Sequence, residues 1–172
     1  MKTTILTMFI GMFCLCAEAQ IPQPDPDTTA KHFITVASIG NLQEVSAGQL
    51  AVDKAKHADV RSFGQMMIMD HRQSEEQLRQ LATRKGYSIP REAAGGIQPD
   101  LNLKNATDNF DAMYIHAMLS GHGNTVQMFE TYATTGNDPE VRAFAKQMLP
   151  TLKTHLAAIK ALDEKYKTLT AK

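Results

Sequence analysis

Four side chains in this 172-residue chain can donate electron pairs to a metal and are spaced to meet: Glu44, His71, His122 and His155. Three imidazoles and a carboxylate form a ligand set suited to one Zn, Cu, Fe or Mn ion. Placed in an apolar interior, such groups are costly unless they bond to each other, to water or to a metal. Glu75 stands one turn from His71 and is an additional ligand or an acceptor behind one. Met67, Met118 and Met148 precede the three histidines by one or two turns. Thioether ligation there would tilt the choice toward copper, although methionine at core spacing more commonly fills space.

The elements that must position these groups are helices. At about 100° per residue, His155 lies within about 40° of Phe144, Met148, Ile159, Leu162 and Tyr166, at the centre of an apolar stripe. The same count aligns His71 with Val60, Gly64, Met67, Leu78 and Ala82, and His122 with Ile115, Met118, Val126 and Phe129. Glu44 aligns with Phe33, Ala37, Gly40, Ala47 and Ala51, small neighbours that leave room beside it.

Helix signals divide the chain into two hairpins. The first helix is expected over about Thr28 to Lys56, and the second opens after His57-Ala58 with Asp59 as cap and stops at Gly86. Tyr87 to Thr107, with Pro90, Gly95, Gly96 and Pro99, reads as a long connection. The third helix begins near Asp108 and ends at Gly136. Asp138-Pro139 then opens the fourth, which runs toward Leu169 with a kink expected at Pro150. Four amphipathic helices of this length imply an all-α four-helix bundle over residues 28–170. Glu44 and His71 are nearly equidistant from one hairpin turn, and His122 and His155 from the other, so all four should share one level. The connection is long enough to join neighbouring ends or to cross the whole bundle, and both topologies stay open.

Other polar groups read more plainly. His32 and His57 fall at helix ends, and His116 points about 120° from His122. Asp111 is accounted for by its favourable position at a helix start, Asp70-His71 is a local pair, and Glu75-Glu76 followed by Arg79 reads as a solvated face.

Met1 to Gln20 has the form of a secretory signal, with Lys2, an apolar run from Ile5 to Cys16, and the small-x-small site Ala17-Glu18-Ala19. Cleavage after residue 19 removes both cysteines, Cys14 and Cys16, and leaves a periplasmic, cell-surface or secreted protein without disulfides. The apolar run is too short for a permanent transmembrane anchor. Residues 20–27, with Pro22, Pro24 and Pro26, form an extended spacer. Eighteen basic and eighteen acidic residues balance, which excludes a broad nucleic-acid footprint. A monomer or weak oligomer is expected, and no protein partner is readable.

With these residues in place, the chain resembles a secreted bacterial family, the domain of unknown function numbered four-one-four-two, whose members are similar to ferritin-like four-helix bundles. The resemblance rests on Phe33 to Glu44, Met66 to Gly86 with its Met-Asp-His core, Phe110-Asp111-x-x-Tyr114 through His122, and Leu149-Pro150 with His155. It implies a metal centre between the helices. The di-iron pattern of Glu-x-x-His on two helices is missing, because no glutamate here is followed three residues later by histidine. Ferroxidase chemistry therefore has no support in the residues. The rival reading is a non-catalytic interaction module in which Glu44 and the histidines form a buried polar network. A hydrolase is weaker still, since no cysteine or Gly-x-Ser-x-Gly turn supplies a nucleophile.

Overall fold

A computed structural model describes residues 30–90 and 100–170, with side chains through Lys167; the expected signal and the whole spacer lie outside the described residues. The described residues form α1 (Ala30–Lys54), α2 (Ala58–Arg84), α3 (Leu101–Asn105), α4 (Phe110–Thr135) and α5 (Pro139–Thr170). The four long helices pack as two hairpins, α1 with α2 and α4 with α5, and no strand occurs among the described residues. The short α3 lies in what reads from sequence as plain connection. Its five residues are too few for an apolar period to show, and it is held by the cap that Asp100 makes to the Asn102 N–H at 2.7 Å.

Side-chain contacts fix the topology. At one end of the bundle Phe33 stacks on Tyr132 with ring centroids 4.2 Å apart, and Lys85 pairs with Asp138 at 2.8 Å. At the other end Asp111 binds the start of α2 and Lys165 pairs with Asp59. α1 therefore runs antiparallel to α4 and α2 antiparallel to α5. Because α2 ends where α5 begins and α4 starts at the opposite end, the connection between the hairpins traverses the bundle's length.

Local signals explain most boundaries. Gly86 takes φ 69°, and the Tyr87 N–H reaches back to the Ala82 carbonyl at 2.9 Å, ending α2 in a glycine cap. Asp138 caps α5, accepting from the Glu140 and Val141 N–H groups at 3.0 and 3.1 Å ahead of a proline first turn. The expected Asp59 cap is not the one used: His57 occupies the cap position without a side-chain bond, and Asp59 sits in the first turn. α5 continues as helix through Pro150.

α1 and α2 approach unusually closely. A Cβ on Gly48 would lie 2.7 Å from the Gly64 carbonyl oxygen, and one on Gly64 would lie 2.7 Å from the Ala51 Cβ. No side chain fits between these backbones. Gly64→Leu is expected to lower stability by roughly 2–3 kcal/mol, read as a fall in the urea midpoint, because separating the helices outweighs the gain in helix propensity.

The apolar core is in two parts. One cluster, with Phe33, Leu78, Phe129 and Phe144, fills the end where α2 meets α5's start; the other, with Val60, Met67, Phe110, Tyr114 and Ile159, fills the opposite end. A polar layer lies between them.

Candidate metal centre

That layer is built around three histidines from three helices. His71 on α2, His122 on α4 and His155 on α5 are 5%, 1% and 1% exposed. Their ring centroids make a nearly equilateral triangle with sides of 5.9, 5.4 and 5.5 Å. One nitrogen from each lies within 4.8 Å of the others. Ligands sharing an ion need this spacing or a small contraction of it.

Each ring is oriented by an acceptor on its outer nitrogen. His122 Nδ1 donates to the Met118 carbonyl at 3.0 Å, one turn back on the same helix. His155 Nε2 donates to the Asp70 carboxylate at 2.8 Å, and His71 Nδ1 donates to the Asn41 amide oxygen at 3.0 Å. Asn41 is itself held, donating to Glu75 at 3.3 Å, while Glu75 also accepts from Ser38 at 2.9 Å and pairs with Arg79 at 3.0 Å. These acceptors place the protons outward and leave bare lone pairs on His71 Nε2, His122 Nε2 and His155 Nδ1. All three of these nitrogens are buried with no hydrogen-bond partner in the chain.

Burial keeps His71 and His122 neutral. It pulls the His71 pKa from 6.5 to about 3, and the proximity of the other two imidazoles acts in the same direction. It also pulls His122 to about 4, against the opposing effect of its bond to Met118. Unprotonated imidazoles are the form that ligates metals.

Glu44 lies beside this trio without joining it. Its Oε1 is 3.9 Å from His122 Nδ1, the nitrogen turned outward, and its Oε2 is buried without a partner in the chain. Burial raises its pKa from 4.5 to about 7. The nearby phenol of Tyr114 is likewise buried and unpartnered, and its pKa is pushed up by burial and by the Glu44 charge. The histidines and Glu44 line a cavity of about 790 Å³ that extends between the four long helices.

These shifts give opposite pH dependences in the metal-free protein. Below 6.5 the unfolded chain takes up protons at His71 and His122 that the folded state refuses until about 3 to 4, so stability falls on acidification through that window. Glu44 acts in reverse: between 4.5 and about 7 the folded state keeps a proton that the unfolded chain has lost, so stability falls as pH rises there. Glu44→Gln is expected to stabilise the metal-free protein at about pH 8 by on the order of 2–3 kcal/mol, and to have little effect near pH 4. Urea midpoints at the two pH values check this, and equal midpoints for variant and wild type at the higher pH would contradict it.

Among the residues singled out by sequence, Glu75 is buried and lies behind Asn41, two hydrogen bonds away from His71. It does not belong to the solvated face that its sequence neighbours indicate, whereas Glu76 does. Met67 and Met118 are buried in the apolar cluster, and Met148 packs at the cavity wall. Asp70 is more than a local pair with His71, because it reaches across to α5 and orients His155. Its missed signal was its own position: adjacent residues on a helix diverge by about 100°, so Asp70 faces the neighbouring helix while His71 faces the centre. Asn41 carried no signal of its own beyond lying on the same helix face as Glu44.

The family model described as "Domain of unknown function (DUF4142)" matches residues 16–162. No curated protein matches the sequence. Among solved structures, CopM in the Cu(II)-bound form is similar at a TM-score of 0.67 with 19% identity, covering 80% of this chain and 97% of that one. CopM in the Ag-bound form from co-crystallisation gives 0.67 with 20% identity over the same shares. A DUF305 fragment from Deinococcus radiodurans gives 0.67 with 14% identity, covering 84% of this chain and 99% of that one. Likeness at these identities is likeness of fold.

Proposed function

This chain belongs to the DUF4142 family, and from that premise we propose that it binds one transition-metal ion through His71, His122 and His155. The observation that carries the reading is the set of three inward nitrogens, each buried and unpartnered, each with its proton held outward by a separate acceptor. A self-sufficient polar network would pair those nitrogens with one another or with Glu44. Here they converge as lone pairs only, an arrangement that a cation relieves. His71 Nε2, His122 Nε2 and His155 Nδ1 would hold the ion, with Asn41, the Met118 carbonyl and Asp70 setting the rings. Bound there, the ion supplies a Lewis-acid centre whose three protein ligands leave capacity for a further donor.

An all-imidazole set suits copper and zinc, and copper stands highest in the divalent affinity order. CopM, with the same bundle, is known in Cu(II)- and Ag-bound forms, which makes copper the first ion to test. The reading extends to location: residues 1–19 serve as an export signal, so the ion is acquired outside the cytosol.

Elemental analysis of protein purified without a polyhistidine tag and dialysed against a competing weak chelator tests the proposal. About one equivalent of metal is expected in the wild type and none in His71→Ala/His155→Ala. Failure of the wild type to retain stoichiometric copper or zinc overturns it.

A further inference from the structure

The cavity beside the histidines is much larger than an ion requires. A hydrated ion with six waters occupies roughly 200 Å³, taking about 30 Å³ per water, whereas this cavity holds about 790 Å³. That volume lies in the range of sites for small organic molecules. Its walls are mixed in character. Beside His71, His122, His155 and Glu44 the lining carries apolar side chains, among them Val36, Ile39, Met128, Phe129, Met148 and Leu152, together with polar ones such as Gln73, Gln77 and Asn124.

Gly40 lines one flank of the cavity and leaves it open, and Gly121 stands beside Glu44. Gly40 on α1 would have nothing within 4 Å of an added Cβ, and a Cβ on Gly121 of α4 would meet only Glu44 Oε1, at 3.6 Å. This contrasts with Gly48 and Gly64, where close backbone packing demands glycine. Gly40 stands in the interior of a 25-residue helix, where glycine costs roughly 0.5–1 kcal/mol relative to alanine and no neighbour needs its smallness. What its missing side chain preserves is the space in front of Glu44 and the histidines.

We infer that this cavity binds a small organic anion, a monocarboxylate with an apolar tail, whose carboxylate completes the coordination of the ion held by the three histidines. The inference rests on the metal-binding reading above. Three imidazole donors bring no negative charge to a divalent ion, which favours an anionic further donor. Of the carboxylates close by, Asp70 and Glu75 are committed to orienting His155 and, through Asn41, His71, while Glu44 stands beside the outward nitrogen of His122. The apolar side chains of the lining then receive the tail, and the open flank at Gly40 admits it.

Isothermal titration with octanoate tests this, after metal content has been measured. Metal-loaded wild type is expected to bind octanoate, with binding at least 10-fold weaker in metal-free wild type, in the loaded Gly40→Leu variant, and for the neutral octanamide. Gly40→Leu enters open space, since its Cβ meets nothing within 4 Å, and it replaces no histidine, so it is expected to retain its metal and helical content. Thr125→Leu, on the α4 wall, offers a second way to narrow the cavity should Gly40→Leu fail to fold. Retained metal without octanoate binding overturns the inference and leaves the metal centre standing, as does octanoate binding undiminished in a folded, loaded cavity-filling variant. Wild type that retains no metal overturns both readings.

Discussion

Replacing His122 with leucine is expected to abolish stoichiometric metal retention and, in the metal-free state, to raise stability by about 1–3 kcal/mol. The two effects have one cause. His122 is 1% exposed and its Nε2 has no partner in the chain, so the folded protein carries the desolvation cost of a buried lone pair. Its other nitrogen bonds the Met118 carbonyl, a helix acceptor, so removing the ring leaves no side chain unpaired. Leucine is close enough in volume to pack against Phe63, whose ring centroid lies 6.4 Å from that of His122. For a domain of this size each kcal/mol corresponds to a shift in Tm of roughly 2–4 °C. The decisive comparison is melting with and without added metal: wild type should gain stability with metal and the variant should not, while the metal-free variant should melt above metal-free wild type. A metal-free variant that melts several degrees lower would mean that the imidazole is a satisfied core group. The same reasoning does not extend to His71 or His155, whose loss would strand Asn41 or Asp70.

Asp111→Ala should produce the largest loss of stability among single polar substitutions, about 3 kcal/mol, with the three histidines left in place. Asp111 is 6% exposed on α4 and accepts from the Lys56 and His57 N–H groups at 2.9 Å each, from the His57 ring at 2.9 Å, and from the Tyr166 hydroxyl at 2.7 Å. It thus caps the start of α2, which lacks a cap of its own, and ties the ends of α4 and α5 to it. Burial alone would raise its pKa, but the bonds from Tyr166, His57 and Lys56 bring it below 3.8. The stabilisation is therefore present above the ordinary carboxylate range and lost as pH falls below it. Thermal melts at neutral pH should show the deficit, and it should narrow at strongly acid pH. An alanine variant as stable as wild type would show that water replaces these bonds. The sequence places Asp111 at a helix start, and charge at a helix terminus accounts for only a small part of this role. The donors that surround it come from a turn more than fifty residues away and from the far end of α5.

Glu44 shows how far a face count reaches. The count puts it on the buried side of α1 at the level of the histidines, and both statements hold in the structure. Whether its carboxylate meets the inward or outward side of His122 depends on how deeply α1 sits against α4, and that packing leaves it beside the outward nitrogen at 3.9 Å. Topology of the crossover was likewise beyond the sequence, since a connection of that length permits both arrangements. It was decided by end contacts such as Phe33 on Tyr132 and Lys85 with Asp138.

The chain alone determined the features that helical period and local capping dictate. Four long helices, the glycine stop after α2, the Asp138-Pro139 start of α5 and the inward direction of His71, His122 and His155 all depend on residues within a few turns of one another. Only the tertiary structure decided which nitrogen of each imidazole is left bare. For His122 the acceptor is local, the Met118 carbonyl one turn back. For His155 it is Asp70 from α2, and for His71 it is Asn41 from α1, brought 85 and 30 residues along the chain by packing. A ligand site needs lone pairs that converge, and convergence is a relation between helices that no single helix contains.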